Sequence, residues 1–149
     1  MLFFDAEPIG NVYGEIIDTA SSICNQFILV ERHSISLNDN AIKVLKELNP
    51  FLLEKREQQE WLGTELFGDT ATVNYYSLNE KSKHILKTHA KGLYSWVQPN
   101  LTEDLSFIKD SGEAWLINIA HEYCSYIDSD DDDELMRIKS ISGINARYV

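Results

Sequence analysis

The sequence predicts an α+β domain, an antiparallel-rich sheet of about four to five strands with helices packed on it. Three observations point there. A 3.6-residue apolar period opens the chain, two alternating segments around a turn mark a hairpin in the second half, and several extended segments lie near one another in sequence. The 149 residues fit a single domain spanning 1–149, and 44% hydrophobic with 11% aromatic residues is enough to line its core.

Ile9, Val12, Tyr13, Ile16, Ile17, Ala20, Ile23 and Cys24 recur at three- and four-residue steps, while Glu15, Asp18 and Ser22 fall on the opposite face. This is the strongest helix pattern in the chain. Phe27 to Val30 follows as a continuous apolar run, the signature of a strand buried on both faces. Asn38 or Asp39 caps a second helix carrying Ile42, Val44, Leu45 and Leu48, which ends at Asn49-Pro50, and Pro50 can open a further turn. Glu54 to Glu60 is polar throughout and reads as an exposed connection or frayed helix. Trp61, Leu66 and Phe67 then return the chain to the core around Gly63 and Gly68.

Thr70 to Leu78 is rich in Thr, Val and Tyr and reads as a strand. Asn79 caps a short helix through Ile85 and Leu86, and a turn around Leu93, Tyr94 and Trp96 stops near Pro99. Leu105 and Phe107 alternate with Asp104 and Ser106, Asp110-Ser111-Gly112 supplies turn residues, and Trp115, Ile117 and Ile119 alternate on the return. That is the hairpin. Tyr123 to Ile127 adds a third antiparallel strand, and Leu135, Ile138 and Ile141 form a last helix.

Asp and Glu number 24 against 13 Lys and Arg, a net charge of −11. Six of the acids lie in one window, Asp128, Asp130, Asp131, Asp132, Asp133 and Glu134; the other 18 leave a balance of only −5. The charge works against nucleic acid or an anionic membrane as partner and favours a basic protein. The start Met1 to Pro8 has no basic n-region and too short an apolar run for a secretory signal, and no stretch is long enough to span a membrane. Cys24 and Cys124 read as buried small hydrophobes in a reducing cytosol, so the expected location is cytoplasmic.

Asp128, Asp130 and Asp132 sit at positions one, three and five of a calcium loop, but position six is Asp133 rather than Gly and position twelve is Lys139 rather than Glu. The alternatives are helix-capping acids before the last helix and a docking patch for basic groups. His84 and His89 are five apart and so on different helix faces, unlike an i, i+4 zinc pair, and His33 stands alone. His121-Glu122 pairs an imidazole with a carboxylate at a strand end, which suits a general base or a structural turn. No nucleophile stands at a recognisable spacing, and no cofactor motif is present. Of the aromatics Tyr75, Tyr76, Tyr94, Trp96, Phe107, Trp115, Tyr123 and Tyr126, alternation buries about half, and the outward ones are candidate interface anchors.

Trp61-x-Gly63-Thr64-x-Leu66, Ala71-x-Val73-x-Tyr75, Gly92-Leu93-Tyr94-x-Trp96-x-x-Pro99, Glu103-Asp104-Leu105-x-Phe107, Trp115-Leu116 and Ala120-His121-Glu122 form a set. Over roughly residues 60 to 127 it resembles a family of small, uncharacterised bacterial cytoplasmic proteins. The resemblance implies a cytoplasmic domain similar in size and acidity to the immunity proteins that neutralise secreted toxins, and it carries over no catalytic residue. The N-terminal helix and the acidic run lie outside it.

The resulting expectation is a non-enzymatic protein-binding domain without a cofactor or resident metal, of the immunity or antitoxin type, acting on a basic toxin. Its candidate contacts are Trp96, Glu103, Asp104, His121, Glu122 and the acids of 128–134. The alternatives are a small hydrolase or metal-dependent enzyme using His121 and Glu122, and a structural or small-ligand-binding module.

Overall fold

Along the computed structural model, which describes residues 1–149, the elements are β1 (Leu2–Phe4), α1 (Asn11–Ile23), β2 (Cys24–Arg32), α2 (Asp39–Leu48), β3 (Leu52–Gln58), β4 (Glu60–Trp61), β5 (Thr64–Glu65), β6 (Ala71–Ser77), α3 (Glu80–His89), β7 (Glu103–Lys109), β8 (Ala114–Ile119), β9 (Cys124–Ile127), α4 (Asp132–Lys139) and β10 (Ala146–Tyr148). Short 3-10 turns lie at Asn49–Phe51, Leu93–Ser95 and Ala120–Glu122. Eight strands form one antiparallel sheet in the order β10-β1-β9-β8-β7-β2-β6-β3, and β4 pairs with β5 in a separate hairpin.

The sheet is larger than the four to five strands expected, for two physical reasons. β1 and β10 are three residues each, too short to show an alternation, and they form by pairing with each other and, for β1, with β9. β3 occupies the polar stretch expected to be a connection or frayed helix. It is an edge strand with no buried residue, so it lacks the apolar period by which strands are read, and its order comes from the ladder with β6.

β2 lies between β6 and β7, and its apolar run is buried on both faces as expected. Phe27 and Leu29 enter the main core with Tyr13, Ile16 and Ile17 of α1, Val44 and Leu48 of α2, Leu86 of α3 and Leu135 and Ile138 of α4. All four helices therefore cover one face of the sheet. Ile28 and Val30 face the other way and pack with Val73 and Trp61 in a smaller cluster, closed by the β4–β5 hairpin. Each of these four β2 side chains contributes about 1.5–3 kcal/mol by leaving water, as an upper value.

Caps match the expected helix starts. Asn38 accepts from the Ala41 amide, and Asn79 accepts from Lys81 and Ser82 while the Ser82 hydroxyl accepts from the Asn79 amide. Gly63 sits in the hairpin at φ 79°, and a Cβ there would lie 2.7 Å from Ile119 Cδ1, so glycine meets both a left-handed turn and a close approach to β8. Phe67 does not return to the core: it is 90% exposed, and Leu66 is only partly covered. Both cysteines are free; Cys24 is buried and Cys124 is partly exposed. No helix is long and apolar enough to cross a membrane.

Candidate functional site

Two groups of polar residues stand out, one partly inside the protein and one on its surface. The inner group forms where β7 begins. Asp104 was expected to alternate with the inward Leu105 and Phe107, with Glu103-Asp104 opening the strand and offering contacts to a partner, but Glu103 is 1% exposed and Asp104 fully buried. β7 lies between β8 and β2 and is covered on both faces, so all of residues 103–107 are buried, Ser106 included. Asp104 has φ 59°, a left-handed conformation that Asp tolerates better than most residues, and the register between β2 and β7 shifts between Ile28 and Val30.

The Asp104 carboxylate accepts from Trp61 Nε1 at 3.0 Å and from the Ala120 amide at 2.9 Å. Glu103 Oε2 lies 2.6 Å from Arg32 Nε at the end of β2, and this contact is an ion pair rather than an aligned hydrogen bond. The Arg32 guanidinium also stands 5.3 Å over the Trp61 ring and 3.2–3.3 Å from the two ring nitrogens of His121. His121, 28% exposed at its side chain, lies 3.5 Å from Asp104 Oδ1 and 3.9 Å from the exposed Glu122. Gln98 ties this end of β2 to the 96–103 loop: it accepts from the Arg32 amide and donates to the carbonyls of Arg32 and Ile35. Burial holds the Glu103 carboxyl above its ordinary pKa, and Arg32 pulls it back.

One ligand atom each from Glu103, Asp104 and His121 fall within 4.8 Å of one another, the spacing of a cation site. The cationic position is already taken by the Arg32 guanidinium, and both Asp104 oxygens are engaged. The arrangement is a buried charge network that latches the β4–β5 hairpin through Trp61 to the sheet. It brings together three expected residues, Glu103, Asp104 and His121, and adds Arg32 and Trp61. Arg32 had no local signal, lying two residues past the apolar run Phe27 to Val30. None of the principal clefts is lined by Glu103, Asp104, His121 or Glu122.

Trp96 is a correction. It is fully buried and donates from Nε1 to the Tyr13 hydroxyl, which in turn donates to the Leu86 carbonyl, so it is a core side chain and cannot anchor a partner. Glu103 and Asp104 are likewise closed to a partner by burial. Among the eight aromatics singled out in the sequence, Phe107, Trp115, Tyr76 and Tyr94 are also buried, and Tyr123 projects to solvent, with its ring edge against Tyr94.

The surface group is the acidic run. Asp128, Asp130, Asp131, Asp132 and Asp133 are exposed. Asp131 caps α4 by accepting from the Asp133 and Glu134 amides, and Asp132, Asp133 and Glu134 fill the first turn, where the helix dipole favours them. Glu134 turns inward to Lys109 Nζ at 2.6 Å, which raises the Lys109 pKa. The carboxylates of 128, 130 and 132 do not converge as a calcium loop would require; the triad at 103, 104 and 121 is the one place where three ligand groups meet. Asp128, Asp130 and Asp131 instead rim an open cleft of about 740 Å³, shared with Lys109 and Glu113 from the β7–β8 hairpin. His89 pairs with Glu47 and His33 with Glu57, so neither joins a site.

No protein-family model, curated protein or solved structure matches this chain.

Proposed function

We propose that this protein is a non-enzymatic binding domain that engages a basic protein through the acidic segment 128–133, most concretely as an immunity-type inhibitor. One observation carries this reading. Five exposed aspartates are gathered just ahead of and within the first turn of α4, three of them, Asp128, Asp130 and Asp131, rim an open polar cleft, and only Lys109 among its lining residues is cationic. Such a patch attracts a cationic surface over about 8 Å at physiological salt and speeds encounter. The cap geometry favours the same segment for stability alone, so binding is to be separated from folding by experiment.

A hydrolase or metal-dependent enzyme has less support. His121 faces Arg32 and an engaged carboxylate, Glu122 stands 3.9 Å away in solvent, and no principal cleft reaches them.

The test is the quadruple variant D130N/D131N/D132N/D133N. Asn caps a helix as well as Asp, so the fold is retained. Against a basic protein of the toxin class that the wild-type chain binds, the association rate should fall and its salt dependence flatten, with protection of cells from that protein lost. Unchanged rates and unchanged protection would refute the reading.

A further inference from the structure

β3 is the last strand of the sheet and pairs with β6 alone. Its open side is seven residues long, contains no proline and buries no residue. From Glu54 to Gln58 its register with β6 is unbroken. The free N–H and C=O groups of an edge invite another strand; the irregularity between Leu52 and Glu54 and the charges of 54–57 exclude most partners and leave one whose charges complement them.

The side chains of β3 alternate between the two sheet faces. Lys55 and Glu57 lie on the helix-covered face, opposite Asn74 and Thr72, and Glu54, Arg56 and Gln58 lie on the hairpin face with Tyr75, Val73 and Ala71. Residues 54–57 hold two acids and two bases, so this edge is neutral in a protein that is otherwise strongly negative.

We propose that the open edge of β3 is a self-association surface, to which a second copy of this chain adds its own β3 antiparallel about a two-fold axis. Such a contact is isologous and closes at two copies. An axis perpendicular to the sheet keeps both helix layers on one side. Residues facing each other across the seam must then share a sheet face, which requires a residue, not a peptide bond, on the axis.

Charge selects between the two central registers. With Lys55 on the axis, two lysines that have no ion pair in the chain oppose each other, and Glu57 faces Leu53. With Arg56 on the axis, each guanidinium is already held by its own Glu54 in a bidentate pair at 2.8 and 2.9 Å and lies 5.0 Å over the Tyr75 ring. Lys55 of each copy then faces Glu57 of the other, twice. The Arg56-centred register gives the unpaired Lys55 a carboxylate, so it is the one the edge fits.

A strand ladder alone falls short of the roughly 1,000 Å² a stable interface needs. The rest is at hand beside the edge. A cleft of about 280 Å³ between α2 and β3, of mixed character, is lined by Ile42, Leu45, Leu52 and Tyr76 together with Lys46, Asn49 and Lys55, and Leu53 at the start of β3 is 57% exposed.

Sedimentation equilibrium on the full chain tests this from about 1 µM to about 1 mM. The expected result is a concentration-dependent shift from 17.1 kDa toward twice that mass. K55E and E57K each oppose like charges at two symmetric positions and should weaken the dimer by about tenfold or more. The double variant K55E/E57K restores opposite charges and should recover it. K55E is the cleaner single change, because Glu57 also pairs with His33 and accepts from Thr70 and Thr72 within the chain while Lys55 has no ion-pair partner. A monomer throughout the range, a dimer indifferent to K55E, or a double variant that folds but fails to recover association would each overturn the proposal.

Discussion

Replacing Arg32 with Met removes the one cation that faces Glu103, a carboxylate whose side chain is 2% exposed and stands beside buried Asp104. Breaking a buried ion pair from one side costs about 3–5 kcal/mol, because the remaining charge is left uncompensated. Arg32 is itself 19% exposed, so water reaches the rim of the network and places the cost near the lower end, about 3 kcal/mol. With a urea m-value of about 2 kcal/mol/M the midpoint falls by about 1.5 M. The loss depends on pH in a defined direction. The folded-state pKa of Glu103 is already raised, mainly by burial, and losing Arg32 raises it further. A carboxyl with a raised folded pKa binds more protons folded than unfolded between its two pKa values, so stability falls as pH rises through that window. Below the unfolded value near 4.5 the group is neutral in both states and the cost of R32M shrinks. Urea unfolding followed by tryptophan fluorescence at pH 4.5 and pH 7.5 measures both quantities. The companion variant R32M/E103Q should regain most of the loss at pH 7.5, since Gln carries no charge to strand. A cost under about 1 kcal/mol at pH 7.5, or one that does not change with pH, would show that the pair is not the closed charge contact described above.

Two further outcomes follow from single residues. Gly63→Ala combines a left-handed φ with a Cβ 2.7 Å from Ile119 Cδ1 and should cost about 2–4 kcal/mol; a urea midpoint equal to wild type would mean that the hairpin shifts freely on the sheet. The Cys24 thiol is pushed up to about 12 by burial, so alkylation of the native protein at pH 8 should label the more exposed Cys124 and spare Cys24, and equal labelling rates would contradict the packing of β2.

Helix α1 was legible from its apolar stripe alone, Tyr13, Ile16, Ile17 and Ala20, without a side-chain cap, whereas in α2 and α3 apolar period and cap coincide, Asn38 before Ala41 and Asn79 before Ser82. The β7–β8 hairpin was legible from alternation around Asp110-Ser111-Gly112. The inner network was half legible. Glu103, Asp104 and His121 could be named, but their meeting with Arg32 and Trp61 spans separations of up to 89 residues, which no local pattern encodes. Alternation also misled: β7 is a central strand covered on both faces, so Asp104 and Ser106 are buried although they alternate with Leu105 and Phe107.

What the sequence alone determined is whatever local chemistry decides: the α+β class, the capped helices, the two-sided burial of Phe27 to Val30, and the acids ahead of α4. What only the tertiary structure decided depends on neighbours distant in the chain. Polar β3 became an edge strand because β6 offered it a ladder, and β1 and β10 became strands because they found each other. Trp96 left the surface for the core because Tyr13, 83 residues away, could accept its indole N–H. Backbone pairing and buried polar satisfaction are long-range bargains, and their partners cannot be read from either residue by itself.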